Sequence, residues 1–155
     1  MTATKMKTGL ALRRWVLRRL DSMASQRSRL PEHLKTGLRG EQEGLLHLRE
    51  MGYVVVARRW KTPRLRGDID LIAWDDDCLC FIEVKTRARR DPMYPAELAV
   101  DEEKRRMLRR MARVYLKGLE RERRMQPKAR FDLLLVYFEA DGTEFEVRKG
   151  AIAWE

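Results

Sequence analysis

The stretch from Asp68 to Lys85 constrains this chain more than any other. Two runs with side chains of alternating character flank the acidic triplet Asp75-Asp76-Asp77. In one run Ile69, Leu71 and Ala73 recur at every second position, and in the other Cys80, Ile82 and Val84 do. A period of two reads as a pair of strands, and the acidic run between them reads as a turn. With a tight turn at Asp76-Asp77, Asp70 falls opposite Glu83 and Asp68 falls opposite Lys85. Directly opposed residues have Cβ atoms about 4.5–5.5 Å apart. Two carboxylates at that separation repel unless a cation or a proton lies between them.

The other face of each run is also largely apolar, through Ile72, Trp74, Leu79 and Phe81. Such a hairpin belongs in a central sheet covered on both sides. Four ionisable groups at one end of it are costly unless they are paired or functional. The residues alone leave two readings. One is a pair of ordinary cross-strand charge pairs at a solvated strand end. The other is a carboxylate site for a hard divalent cation such as Mg²⁺, which takes one or two carboxylates with water and a substrate phosphate.

Helical spacing predicts a helix from about Leu38 to Met51 that stops at Gly52. A Val-rich strand follows over Tyr53–Trp60, then a basic loop over 61–66. The hairpin strands run over Asp68–Trp74 and Cys78–Thr86. A basic loop over 87–97 leads to a long helix over Val100–Arg123. Strands over Phe131–Phe138 and Glu144–Trp154 close the chain, with Asp141-Gly142 as their turn. On the first of these helices Leu38, Leu45 and Leu48 form the apolar stripe, and Glu41 falls within it. An inward carboxylate needs a partner, which the hairpin could supply. The alternative is a Glu at the end of the stripe that reaches solvent or favours the helix dipole.

The formal net charge of +10 points to a polyanion partner. Its distribution narrows that inference. Residues 1–35 hold nine basic and two acidic residues, so they account for +7 of the total. Within them, residues 9–25 read as a basic amphipathic helix and 24–36 as a linker around Pro31. The chain therefore divides into an extension, 1–35, and a body, 36–155. Cys78 and Cys80 are expected to be reduced core thiols rather than a bridge or a zinc site. No apolar run reaches the roughly 20 residues of a membrane span, and arginines interrupt any signal-peptide core. A cytoplasmic protein with no membrane span is the expectation.

An acid in a helix, then an Asp, then Glu-x-Lys on the next strand is the pattern of the PD-(D/E)xK nucleases. Within that superfamily, the chain resembles the YraN-like family of predicted endonucleases, which is similar in fold to Holliday-junction resolvases. The matching segments are Gly37-Leu38-Arg39-Gly40-Glu41, Met51-Gly52-Tyr53, Gly67-Asp68-Ile69-Asp70-Leu71-Ile72, Phe81-Ile82-Glu83-Val84-Lys85-Thr86-Arg87 and Arg130-Phe131-Asp132. Asp68 departs from the family's usual Glu, and the basic extension has no counterpart.

The resemblance implies an α/β fold of the restriction-endonuclease type. That is a three-layer sandwich with a central mixed sheet, flanking helices and an αβββαβ core. It implies that Asp70, Glu83 and the Val84 carbonyl hold Mg²⁺ or Mn²⁺. Lys85 would orient or deprotonate the attacking water, and Glu41 would hold a water on that ion or a second ion. Asp68 is a candidate partner of Lys85. Arg64, Arg66, Arg87, Arg89, Arg90 and Lys104 are candidate DNA contacts, although the loop arginines read equally well as solvated charge. Asp132 is expected to pair with an Arg. The implied activity is hydrolysis of DNA phosphodiesters, with branched or damaged structures as candidate substrates, by a homodimer without a small-molecule cofactor. The alternative is a module that binds nucleic acid without cutting it.

Overall fold

Apolar residues at helical spacing, closed by a glycine, begin the described structure. In the computed structural model, residues 31–88, 90 and 100–155 are described. The amphipathic segment 9–25, nearly all of the extension, and Arg89 lie outside them. Helix α1 (Glu32–Glu50) starts right after Pro31, so residues 32–36 are helical where the sequence suggests a linker. Proline suits a helix start because its missing N–H would have no partner there. The helix ends as expected at Gly52, which has φ 93. Its N–H donates to the Arg49 carbonyl, and the Tyr53 N–H donates to that of Leu48.

Strands β1 (Val54–Thr62), β2 (Leu65–Asp75) and β3 (Cys78–Arg87) follow as antiparallel neighbours. β1 and β2 run almost to their turn, since Thr62 pairs with Leu65. The expected loop over 61–66 therefore shrinks to Pro63-Arg64. At the next turn Asp75 pairs with Cys78, which leaves Asp76-Asp77 as the two-residue connection. Asp76 has φ 51, the left-handed conformation that tight hairpins need. Helix α2 (Glu102–Arg123) is capped by Asp101, whose carboxylate accepts from the Lys104 N–H at 2.8 Å. β4 (Lys128–Glu139) then pairs parallel to β3 along its whole length. β5 (Gly142–Ile152) returns antiparallel to β4.

The result is a five-stranded mixed sheet in the order β1-β2-β3-β4-β5, with buried side chains on both faces. It is compatible with the expected restriction-endonuclease-like sandwich. On the α2 side lie Ile72, Leu79, Phe81, Leu108, Met111, Phe131 and Leu133. On the α1 side lie Leu45, Leu48, Leu71, Ala73, Cys80, Ile82 and Leu134. Burial on both faces explains why these strands lack a solvated polar face. Cys80 is buried and Cys78 half-buried, and both are free thiols. Among the described residues no helix is long and apolar enough to cross a membrane.

Within the β2–β3 hairpin, strict alternation fails at one place. Ile69 packs with Ile72 on the α2 side, not with Leu71 and Ala73 as a period of two requires. The irregularity has a partner on β1. Arg59 lies between the pairs Arg58↔Leu71 and Trp60↔Ile69, beside Asp70, and has φ 46. A non-glycine residue in that region is uncommon and marks local distortion.

Candidate active site

The ladder between β2 and β3 ends at Leu71↔Ile82. Asp70 and Glu83, expected to face each other as the next pair, stand just beyond it. In place of a ladder bond, Asp70 Oδ2 accepts the Val84 N–H at 2.8 Å. The carboxylate has taken over a backbone donor that the distorted β2 no longer satisfies, which fixes its orientation.

Glu83 is 2% exposed. Its Oε1 meets Lys85 Nζ at 3.0 Å, and its Oε2 meets Lys104 Nζ at 3.0 Å. The second contact is an ion pair off the angle of a hydrogen bond, so Oε2 is buried without an aligned donor. Lys104 also reaches the Asp68 carbonyl at 3.5 Å. Burial works to lower the Lys104 ammonium, but Glu83, Asp70 and Asp68 hold it above the ordinary lysine value. Burial first, then the charge of Glu83, pushes the Asp70 carboxyl up to about 7 against the pull of the Val84 N–H and Lys104. Glu41 is raised as well, by burial first, with Arg59 opposing and Asp68 and Glu83 adding to the rise.

Glu41 reaches this cluster because α1 lies very close to the sheet. A Cβ on Gly40 would sit 1.8 Å from Thr86 Oγ1, and one on Gly44 would sit 2.6 Å from a Leu134 methyl. Two glycines four apart clear one face of the helix, and the residue after the first of them is Glu41. The structure thus gathers Glu41, Asp70, Glu83, Lys85 and Lys104 at one end of the sheet. Asp68 joins them, but through Arg59 at 3.5 Å rather than through Lys85. Lys85 is taken by Glu83, its neighbour two along the strand.

The basic residues divide. Arg64 and Arg66 are exposed beside the β1–β2 turn, and Arg87 is half-buried at the end of β3. Arg90 is tied to β5: it meets Glu144 and Glu146 at 3.1 Å each and lies over the Tyr137 ring. Its side chain nevertheless stays 49% exposed, so these surface pairs engage the guanidinium without burying it. Lys104, expected as a nucleic-acid contact, belongs to the carboxylate cluster. The sequence held a signal for this, because a helix crossing over from β3 must begin near the strand's end, beside Glu83 and Lys85. Arg59 had no such signal. Asp132 pairs with an Arg, as expected. It accepts Arg130 Nε at 2.9 Å and the Gly150 N–H at 2.9 Å, and is fully buried.

Among the described residues no three Asp, Glu, His or Cys side chains form a ready-made metal cage. The donors present are the carboxylates of Asp70 and Glu83 and the carbonyl of Val84. That set fits a hard cation which keeps several waters, because Mg²⁺ commonly takes only one or two carboxylates. The buried Oε2 without an aligned donor and the raised Asp70 carboxyl fit it too, since a cation relieves both.

Known proteins carry the same core. Residues 40–136 match the model of a family described as "Uncharacterised protein family UPF0102". A UPF0102 protein of Koribacter versatilis is 46% identical over 121 residues, which is 78% of this chain and 81% of the relative. One of Solibacter usitatus is 41% identical over 115 residues, 74% of this chain and 83% of the relative. One of Acetivibrio thermocellus is 36% identical over 110 residues, 71% and 81% of the two chains. The matched core spans Glu41, the β2–β3 hairpin, Lys104 and the Arg130-Phe131-Asp132 segment, and the chain belongs to the UPF0102 family.

Proposed function

We propose that this protein is a metal-dependent endonuclease that hydrolyses DNA phosphodiesters at the cluster of Glu41, Asp70, Glu83 and Lys85. The observation that carries the reading is the buried carboxylate of Glu83 beside half-buried Asp70 at a strand end, with one Glu83 oxygen lacking an aligned donor. Asp70, Glu83 and the Val84 carbonyl would hold Mg²⁺ or Mn²⁺, which supplies a Lewis acid for the phosphate and an activated water. The Val84 N–H keeps Asp70 aimed at the site. Lys85, with a third of its side chain exposed, can reach a phosphate while still neutralising Glu83. There it orients the attacking water and offsets charge that builds on the phosphoryl oxygens. Lys104 balances the second oxygen of Glu83 from α2. Glu41, whose carboxyl is raised chiefly by burial, stands at the edge of the site, where it would hold a water on the ion.

The test is cleavage of labelled linear, flap and four-way-junction DNA with Mg²⁺ or Mn²⁺. Asp70→Ala and Lys85→Ala are each expected to lower the rate at least about a hundredfold. Activity that survives both substitutions rejects the assignment.

A second reading rests on the two lysines that already close on Glu83. A cluster so neutralised suits a module that binds nucleic acid without cutting. It predicts salt-sensitive binding indifferent to chelator, and no cleavage of any substrate. Calorimetry separates the two readings. Saturable Mn²⁺ binding that is lost in Glu83→Ala belongs to the enzyme.

A further inference from the structure

A groove of about 970 Å³ runs between β1, the edge strand of the sheet, and the C-terminal half of α2. Three aromatic side chains line it: Trp60 of β1, Trp74 of β2 and Tyr115 of α2. All three are half-buried. Trp60 and Tyr115 meet edge to face, with centroids 5.2 Å apart and planes at 87°. Around them stand Arg64, Lys117, Arg121 and Arg123, against a single acid, Glu122. None of these groups has a part in the carboxylate site.

The groove adjoins that site through consecutive residues. Arg59 touches Asp68, and the next residue, Trp60, lines the groove. Arg64 lines it too, in the turn that leads along the chain into β2 and so to Asp68.

Aromatic faces interleaved with cations bind nucleotides whose bases are free to stack. The rings take bases while the cations take phosphates. A duplex gains little in such a groove, because its bases are already stacked on each other. An acidic peptide gains from the cations but not from the indoles. We propose that this groove binds unpaired nucleotides, so that the protein engages its substrate through a single-stranded segment beside the β2–β3 hairpin. The inference deepens the nuclease reading and rests on it only for the identity of the neighbouring site.

The experiment uses the full-length protein in chelator, so that binding is measured without cleavage. A single-stranded oligothymidine and a duplex of equal length are titrated, with fluorescence anisotropy and tryptophan quenching as readouts. The single strand is expected to bind more tightly and to quench. Lys117→Glu is expected to weaken single-strand binding about tenfold, while Arg49→Glu, an equal charge change on α1, moves it less than twofold. Trp60→Phe with Trp74→Phe keeps an aromatic ring at each position while removing the indole emission, and should abolish most of the quenching. Quenching that persists in that double variant overturns the proposal. So does equal binding of duplex and single strand, or displacement by polyglutamate at the same charge concentration. If Mg²⁺ then yields cleavage with no preference for single-stranded segments, the groove is wrong and the nuclease reading stands. Single-strand binding at the groove with no cleavage of any substrate is the reverse case.

Discussion

A carboxylate as buried as that of Glu83 needs cationic partners, and it has two, Lys85 and Lys104, each at 3.0 Å. Asp70 beside it has, among the described residues, only the Val84 N–H as a hydrogen-bond partner, and burial with the charge of Glu83 raises its pKa. This asymmetry gives a test with a definite sign. The folded value, about 7, lies above the ordinary 3.8. Below about pH 4 the group is protonated in both states and costs nothing, and as pH rises through about 7 the fold loses stability. Asp70→Asn keeps an acceptor for the Val84 N–H and removes the charge. In chelator it is expected to stabilise the protein at pH 8 by about 1–3 kcal/mol, with the gain gone by pH 4. Thermal melts at both pH values check this. A variant that is destabilised at pH 8 shows that Asp70 is not held against its charge.

At the scale of elements, α1 decides whether Glu41 can take part. The close approach rests on Gly40 against Thr86 and Gly44 against Leu134. An exposed Gly→Ala change inside a helix ordinarily stabilises by about 1 kcal/mol. Here the sign should reverse. Gly40→Ala is expected to cost about 1–3 kcal/mol through overpacking, and Thr86→Ala in the same chain should recover part of it by removing Oγ1 and Cγ2. Denaturant titration of the single and double variants measures the recovery. No recovery means that α1 does not sit on Thr86. The elements themselves were mostly legible in the sequence, since two apolar periodicities and two turn signals locate them. What was not legible was the slip at Ile69. It lies opposite the left-handed Arg59 on the neighbouring strand, a backbone feature that leaves no mark in the local sequence of β2.

Across the whole molecule, the end of the sheet remote from the carboxylate cluster is held by ions as well as by packing. Arg130 of β4 joins Asp132 and, across the sheet, Asp75 of β2, and Lys149 of β5 meets Asp75 at 2.7 Å. The hydrogen bonds from Lys149 and Arg130 hold the Asp75 carboxyl down at about 2. Its contribution to stability is therefore present above about pH 4 and lost as pH falls through about 2. Asp75→Asn is expected to cost about 1–3 kcal/mol at pH 7, and the difference from the parent chain should shrink by pH 3. Urea unfolding at the two pH values checks it. An equal deficit at both would mean that the amide disrupts the network by shape and not by charge.

The sequence by itself determined the alternation of elements, the two-residue turn at Asp76-Asp77, the membership of both faces in a buried core, and the candidacy of Glu41, Asp70, Glu83 and Lys85. Each of these is written in local periodicity, in turn chemistry, or in a charged residue placed where an apolar one belongs. Only the tertiary structure decided which charges meet. Lys104 lies on the far side of a crossover from Glu83, Arg59 takes Asp68 from Lys85, and Arg90 is claimed by β5. Such pairings depend on where separate elements cross and how closely they approach. Backbone distortion and helix–sheet distance set them; the first leaves no period or motif in the chain, and the second leaves only the spacing of Gly40 and Gly44.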